Sequence, residues 1–238
     1  MAFVDTSASR VLINQRHLSA SISGWEVTSS RSMSQVTSIL NAGQRFVPGI
    51  ALGAIGLTGM FNPAAGDLDA TIIAAAGVDN GLLWTVCPSG FTLGAPALIV
   101  RSELEDYKIT SAVGSAVNVA VMGMPDDGTD IGVQLHAHGA ETADLSSTSV
   151  DNAAATSNGG VATLHATAYS GLTNAVIIVE HSTNNSVWAT LATFTTVTAV
   201  TSERLLVAAG TTVNRYLRSS VDVTGTGSVT YAVAFARR

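Results

Sequence analysis

The sequence has few of the residues that commonly carry catalysis or redox chemistry. Its 238 positions include a single cysteine, Cys87, and aromatic residues make up only 5% of the chain. One cysteine cannot form an internal disulfide and offers no pair of thiolates to a metal. We interpret it as a buried or strand-end residue. The nucleophile elbow, phosphate-binding loop, zinc-protease motif and dinucleotide fingerprint are all missing from the sequence. We therefore predict a protein that is not an enzyme and uses no cofactor.

Charge is also scarce, and its sign is unfavourable for nucleic-acid binding. Charged residues make up 12% of the chain, about half the usual share, with 11 basic against 17 acidic residues. Lys108 is the only lysine, and the 95 positions between it and Arg204 contain eight acidic residues and no basic one. Such a stretch repels a phosphate backbone. A surface this poor in charge favours a chain that meets other subunits, so we predict self-assembly.

No segment of the sequence is expected to enter a membrane. The first residues lack a basic stretch followed by an apolar core, as a secretory signal would have. The most apolar run, residues 46–61, is too short to span a bilayer and is interrupted by Pro48 and four glycines. We predict no membrane insertion and expect a protein that is made or assembled in a cytoplasm.

Apolar and polar residues alternate through most of the chain, as they do in strands with one buried face. In the last such run, Val229, Tyr231, Val233 and Phe235 share one face. Many of these runs are rich in Val, Ile and Thr, which favours strands. Sequences that we interpret as turns lie between the runs, at residues 127–128, 158–160, 184–185 and 224–227. We predict an all-β, mainly antiparallel fold.

One segment departs from this alternation and predicts a short helix. In residues 66–77, Asp67 and Asp69 lie near the start, where they suit the positive end of a helix dipole, and Gly77 lies at the end. Leu68, Ile72 and Ala75 recur at helical spacing between these ends. We predict a single short helix here.

A change in composition predicts two domains. In residues 141–160 large apolar residues give way to Ser, Thr, Asp, Asn and Ala. We predict one domain over residues 1–140, a linker or long loop over 141–160, and a C-terminal domain over 161–238. The first 140 residues carry 11 acidic and 6 basic groups, a net charge of −5, and the remainder carries 6 and 5, a net charge of −1. The two parts therefore do not look like repeats of one another.

The histidines are the only candidates for a metal site. On a regular strand the side chains of His136 and His138 would lie on one face, with His165 and His181 as further candidates. No nearby cysteine or glutamate completes a set of ligands, and polar surface positions explain these residues as well. Residues 125–130, which include three aspartates, lack the ligand spacing of a calcium loop, and we interpret them as a hairpin turn. We predict no metal site.

The order of motifs in the N-terminal part resembles a known family. Residues 22–31 (ISGWEVTSSR), 43–49 (GQRFVPG) and 55–61 (IGLTGMF) precede the short helix. This order resembles the tail tube fold of long-tailed bacteriophages over roughly residues 8–135. Residues 160–218 resemble a β-sandwich module that is often appended to phage tail proteins and shared with some carbohydrate-binding modules. The resemblance implies a tail-tube-like β-barrel or sandwich followed by a C-terminal β-sandwich.

The family resemblance implies a structural role in a virion. A major tail protein of this kind forms rings, hexameric in known members, that stack into a tube through which the genome passes without specific binding. The implied partners are further copies of the chain and the terminator, tape measure and distal tail proteins of the same phage. The implied location is the phage tail, assembled in the cytoplasm of the host bacterium.

Residues 28–46 form the best candidate for a contact between stacked rings. A free monomer has little reason to expose large apolar side chains on a long surface segment, because such patches usually mark a partner site. The candidate contact residues are Met33, Val36, Ile39, Leu40, Phe46 and Val47.

Two other functions fit the composition. A carbohydrate-binding or adhesion module of a virion or cell surface would need exposed aromatic residues, and only Trp25, Trp84 and Trp188 are available as tryptophans. We interpret Trp188 as packing on the β-sandwich. A capsid-decoration protein is the other alternative, although it has no need of a tube-like N-terminal domain.

Overall fold

Antiparallel β-strands make up most of the computed structural model, which describes residues 6–40 and 42–238. A short 3-10 turn at Thr6–Ala8 precedes the first strand. The strands are β1 (Arg10–Ile13), β2 (Arg16–His17), β3 (Ile22–Gln35), β4 (Phe46–Met60), β5 (Leu82–Cys87), β6 (Pro96–Thr110), β7 (Asn118–Glu141), β8 (Leu145–Ser146), β9 (Val150–Asp151), β10 (Gly160–Ser182), β11 (Ala189–Thr193), β12 (Thr201–Val207) and β13 (Tyr216–Arg237). The pairings between these strands are antiparallel, so the predicted all-β fold is confirmed.

Helix α1 (Leu68–Ala75) confirms the short helix expected from the sequence. Asp67 caps it, with a carboxylate oxygen that accepts a hydrogen bond from the Leu68 N–H at 2.7 Å. Leu68, Ile72 and Ala75 are buried, and Gly77 follows the helix with a φ of 74°, a conformation that glycine adopts without strain. The helix therefore buries the face that its sequence spacing predicts.

The strands form one hydrogen-bonded sheet that does not close on itself. Its main path is β11–β10–β13–β7–β6–β5–β1–β2, while β4 pairs with β7, β3 with β4 and β12 with β10. A closed barrel requires the first and last strands to pair, and the described part of the chain has free edges at β11, β12, β3 and β2. The single chain is therefore not the closed barrel that the family resemblance allowed.

Two of the predicted turns are wrong, because the strands continue through them. Asp127 and Gly128 have φ values of 67° and 77°, yet both lie inside β7. Val100 pairs with Thr129, whereas Ser102 pairs with Pro125, so the three residues 126–128 form a bulge opposite a single residue of β6. The chain bends here without reversing. Aspartate and glycine favour a positive φ in both a turn and a bulge, so the local sequence does not distinguish the two.

The second such bulge bends the longest ladder in the molecule. Gly225, with a φ of 104°, lies inside β13 opposite Leu172 of β10, and Gly171 beside it has a φ of 72°. Because both partner strands bend together, β10 and β13 stay paired over most of their 23 and 22 residues. Residues 224–227 are thus a bend within a strand instead of the expected turn.

The core consists of two large clusters and a smaller one between them. The first packs α1 against strands from the N-terminal part, with Leu57, Leu68, Trp84 and Val121 among its members. The second lies mainly in the C-terminal part, with Leu135 of β7 among its members, and includes all four residues predicted to share a face of the last strand. The small cluster contains Cys87, Ala97, Ile99, Val161, Ala234 and Ala236, and so draws on both predicted domains. The ladder between β7 and β13 also crosses the predicted boundary.

Candidate assembly surface

The candidate assembly surface is a four-stranded sheet in the N-terminal part of the chain, together with the apolar hairpin that extends from it. We define the four-stranded sheet as residues 22–31 of β3, 54–60 of β4, 118–123 of β7 and 104–110 of β6. One row across it consists of Trp25, Leu57, Val121 and Tyr107, and these side chains pack into the first core cluster. Successive residues of a strand point to opposite faces, so the adjacent rows face away from the core.

Contacts with the helix region hold the β6 side of this sheet in place. The hydroxyl of Tyr107 donates to the buried carboxylate of Asp69 in α1. The backbone N–H of Asn80, after the helix, donates to the carboxylate of Glu103. The β6 edge is therefore anchored to a buried element before any partner binds.

Both outer edges of the four-stranded sheet lack a strand partner within the described residues. Strand β3 is paired with β4 on one side and with no strand on the other. The same holds for β6 beyond Ser102, because β5 pairs only with residues 98–102 of it. Free edges present rows of unpaired backbone N–H and C=O groups, which are templates for pairing with another chain.

Beyond the sheet, β3 and β4 continue as a two-stranded arm. Residues 55–60 of β4 pair with β7, whereas residues 46–54 pair with β3 alone. The arm therefore projects past the bulge of β7, and its ladder ends at the pair Gln35–Phe46. Much of the candidate contact segment from 28 to 46 is thus part of a β-hairpin.

The six predicted contact residues all lie on this arm, and all are exposed in the single chain. Ile39 and Leu40, near the end of the arm, are 101% and 91% exposed. Met33, Val36, Phe46 and Val47 are between 49% and 59% exposed. The sequence of the arm from 28 to 53 contains Arg31 and Arg45 and no acidic residue. The arm is therefore apolar and weakly basic.

Sequence reasoning missed further exposed apolar residues of the same region. Ile50 and Leu52 extend the apolar surface of the arm. Val113 is fully exposed in the turn between β6 and β7, which lies at the opposite end of the four-stranded sheet from the arm. A signal was available for Val113, because it is an isolated large apolar residue in the polar segment 110–116.

The acidic run in β7 is neutralised within the chain. Arg204 and Arg238 both bind Asp127 and Asp130, with nitrogen–oxygen distances of 2.7–3.2 Å. Burial alone would raise the pKa of Asp127, but hydrogen bonds from the two arginines outweigh it and lower the pKa. These carboxylates therefore tie β7 to β12 and to the C-terminal residue, and they do not form the expected exposed acidic stretch.

The pair His136 and His138 does not share a face, contrary to expectation. His136 is paired with Val233 and Gly139 with Tyr231, so an extra residue interrupts the alternation between them. The ring of His136 stacks on Tyr231 at 4.0 Å, and its Nε2 lies 3.2 Å from Glu141. His138 instead contacts other residues, namely His17, Phe91 and Thr167.

The other two histidines lie at separate positions. Nε2 of His165 is 2.8 Å from the Thr85 hydroxyl, and its Nδ1 is 2.5 Å from the carbonyl oxygen of Asn14. Burial lowers the pKa of His165 to about 4, so the ring is neutral at neutral pH. Nδ1 of His181 accepts a hydrogen bond from the N–H of Asn214. Within residues 6–40 and 42–238, no three His, Cys, Asp or Glu side chains form a group able to hold a metal.

Cys87 is buried at the end of β5, as predicted. Burial raises the pKa of its thiol to about 12, although the hydrogen bond from Gln134 acts in the opposite direction. A thiol with so high a pKa is a poor nucleophile, because the thiolate is the reactive form.

The tryptophans offer little to a sugar. Trp84 is fully buried and donates its indole N–H to Ser102. The guanidinium of Arg218 lies 4.2 Å from the ring centre of Trp188 and covers one face of it, as expected for a residue packed on its own domain. Trp25 belongs to the row that packs on the core.

No family model matches the chain, and no curated protein matches it. Three solved structures resemble its fold at low identity. A chain from the virion of a native gene transfer agent particle is 10% identical, with 53% of this chain and 97% of that chain covered and a TM-score of 0.44. A chain from the tail of an empty gene transfer agent particle with C6 symmetry is 13% identical, with 50% and 92% covered and a TM-score of 0.36.

The third structure is the Dit protein of phage SPP1, described as a paradigm of the hub adsorption apparatus in phages that infect Gram-positive bacteria. It is 8% identical, with 97% of this chain and 99% of that chain covered and a TM-score of 0.39. At these identities and TM-scores the likenesses do not identify a family or a function. In the described residues, no helix is both long and apolar enough to cross a membrane.

Proposed function

We propose that this protein is a structural tail protein of a phage-type virion, whose copies close into rings and stack into a tube. The observation that carries the proposal is the pair of free edges on the four-stranded sheet. The sheet has an even number of strands that alternate in direction, so β3 of one copy is antiparallel to β6 of the next. A ring of copies can therefore continue one antiparallel ladder and leave no edge unpaired.

The exposed face of the four-stranded sheet would line the channel of such a ring. This face carries Glu26, Asp106 and Lys108, and exposed Glu105 lies beside Asp106 in a bulge of β6, which amounts to a net charge of −2 per copy. The other face is committed to the core. A weakly acidic, small-residue wall suits a channel that DNA passes without binding. Six copies per ring, as the family resemblance implies, would give a channel of 24 strands.

The arm would connect one ring to the next. Its six apolar residues, Met33, Val36, Ile39, Leu40, Phe46 and Val47, are exposed in the single chain. Burying a side chain such as Ile39 against the neighbouring ring stabilises the contact by roughly 1.5–3 kcal/mol. A head-to-tail contact of this kind repeats without limit along one axis, as a tube requires.

Under this proposal the remaining partners are other tail proteins. The terminator and distal tail proteins would bind the two ends of the tube, and the tape measure protein would occupy its channel during assembly. The C-terminal part would lie outside the ring wall as a separate domain over residues 161–238.

The proposal is tested by electron microscopy of the purified chain at high concentration, together with sedimentation velocity over a range of concentrations. We expect rings or tubes with an open channel. A single monomer boundary across a wide range of protein and salt concentrations would contradict the proposal. Because the arm is apolar, we expect stacked forms to persist at high salt.

A further inference from the structure

The two free edges of the four-stranded sheet carry opposite charges that form no ion pair with any other residue that the structure describes. Lys108, the only lysine, is exposed on β6, and Glu26 is exposed on β3. Neither takes part in an ion pair within the described residues, although Arg101, Arg204, Arg215, Arg218 and Arg238 all do. The charges are therefore available to a second molecule.

Both charged side chains lie on the same face of the sheet. Lys108 stands in the row of Ala120, Thr58 and Gly24. Glu26 stands two residues along, in the row of Gly56, Met122 and Asp106. The row between these two is the one that packs on the core. Side chains in rows two apart point to the same side, which here is the exposed side.

The strand geometry brings these residues together when a second copy joins edge to edge. If each row of one copy continues into the same row of the next, Glu26 lies directly opposite Asp106 of the neighbour and diagonally opposite its Lys108. A stagger of two residues places Glu26 directly opposite Lys108. Strands of a closed sheet must tilt and stagger, and cross-strand neighbours of opposite charge attract whereas like charges repel. The stagger that separates Glu26 from Asp106 is thus favoured.

We infer that Lys108 of one copy pairs with Glu26 of the next, and that this pair selects the register in which the β3 and β6 edges join. The inference rests on the proposed ring and names the contact that closes it. Charges on a free strand edge have a second known use, which is to prevent association. The two explanations predict opposite effects when the charge is removed, as in Lys108→Gln: assembly weakens if the charge forms the pair and strengthens if the charge keeps the edges apart.

The test compares wild type with Glu26→Lys, Lys108→Glu and the double variant. In the staggered register each single change replaces the attractive pair with a repulsive one at every interface, so we expect the critical concentration for assembly to rise by roughly tenfold or more. The rise should be larger for Lys108→Glu, because the lysine introduced by Glu26→Lys faces Asp106 of the neighbour when the rows are level. The double variant restores the pair and should assemble as wild type does. Asp222→Lys, on an exposed and unpaired carboxylate of β13, is the control for the change in net charge.

A mixture of the two single variants gives the sharpest readout. In a ring where they alternate, every interface again pairs one positive with one negative group, so the equimolar mixture should assemble at concentrations where each variant alone stays monomeric. Single variants that assemble like wild type, or a mixture no better than its components, would overturn the inference while the ring proposal stands. More ready assembly of Lys108→Gln than of wild type would overturn the inference and show that the charge prevents association. Failure of wild type to assemble would overturn both proposals.

Discussion

The N-terminal and C-terminal parts of this chain differ in how much of their apolar surface they cover themselves. Of the 21 large apolar side chains exposed in the described residues, 17 lie within residues 1–140 and four lie after them. In the C-terminal part, β10 is flanked by β13 on one side and by β11 and β12 on the other. The four-stranded sheet of the N-terminal part instead ends in two bare edges.

Under the proposed function, this difference separates a part that covers its own apolar surface from a part that copies of the chain would cover. Burial of apolar surface is the main source of stability, and the C-terminal part covers most of its large apolar side chains within one chain, although β11 and β12 keep free edges. The N-terminal part leaves an apolar arm and two strand edges uncovered, which an isolated monomer would have to keep from aggregating. The predictions that follow test whether this division is real.

The largest expected effect is on the arm. The double substitution Ile39→Asp with Leu40→Asp should abolish tubes, because it places two charges at a contact that is apolar in every pair of rings. The monomer should stay folded, since both side chains are already more than 90% exposed. Electron microscopy and circular dichroism measure the two properties.

The matched control for the arm is Val187→Asp, which changes a residue that is 73% exposed in the C-terminal part. It should leave assembly intact. Normal tubes from the arm variant, or unfolding of its monomer, would mean that the arm is inert surface or core, and the comparison between the two parts would fail.

The second prediction concerns the boundary between the parts. A chain ending at Glu141 should keep a cooperatively folded N-terminal domain, because its main core cluster contains no residue beyond that point. It should be less stable by several kcal/mol, since the small cluster loses Val161, Ala234 and Ala236. Thermal unfolding followed by circular dichroism measures this. A chain without a cooperative transition would mean that residues 1–140 are not a domain.

The sequence was informative where structure depends on neighbouring residues. The helix at Leu68–Ala75 was predictable because its cap, its apolar spacing and its final glycine all lie within twelve positions. The alternation from Val229 to Phe235 likewise fixed the buried face of the last strand. Both signals are local, and the physics that produces them is local too.

The features that define the candidate site depend on pairing between distant residues. Whether Asp127 and Gly128 form a turn or a bulge depends on whether β6 stays alongside β7, which no local pattern records. The free edge of β6 arises because β5 stops pairing at Ser102. The apolar residues of the arm could be singled out from the sequence, but the point at which the β3–β4 hairpin leaves the sheet depends on where β7 stops pairing with β4.

The third prediction uses pH to probe the junction of the two parts. His165 of β10 bonds to Thr85 and Asn14, and burial lowers its pKa in the folded chain to about 4. The unfolded chain, with a pKa near 6.5, binds the proton first as pH falls. The contribution of His165 to the free energy of unfolding is therefore constant above about pH 6.5. It decreases by about 3 kcal/mol as the pH falls to 4.

Replacing His165 with Gln should remove the share of the acid destabilisation that comes from this residue and leave the share that comes from the other buried histidines, as measured by denaturant unfolding at pH 4 to 7. His181→Gln is the control, because its ring is only partly buried. An equal loss of stability with acid in wild type and in His165→Gln would show that other groups are responsible, among them His138, whose pKa burial also lowers to about 4.

The smallest expected effect tests whether the C-terminal part closes its own surface, using the stacked pair Arg218 and Trp188. The guanidinium is 4.2 Å from the ring centre, and its Nε also binds Glu180 at 2.7 Å. A cation over an exposed ring contributes about 0.5–1 kcal/mol. A double-mutant cycle with Arg218→Met and Trp188→Leu isolates this contribution. Arg218→Met loses the Glu180 contact whether residue 188 is Trp or Leu, so that loss cancels from the coupling energy.

We expect a coupling energy of about 0.5–1 kcal/mol in chemical denaturation, with no effect of either substitution on assembly. A coupling near zero would mean that the ring of Trp188 is available to a ligand, and the carbohydrate-binding alternative would regain support. Titration with oligosaccharides, followed by tryptophan fluorescence in wild type and in Trp188→Leu, decides that case. Saturable binding that is lost in the variant would place a ligand site on the C-terminal part. If no oligosaccharide binds and the coupling is measurable, Arg218 covers the ring of Trp188 and this part needs no ligand to do so, whereas the edges of the N-terminal sheet remain uncovered in the single chain.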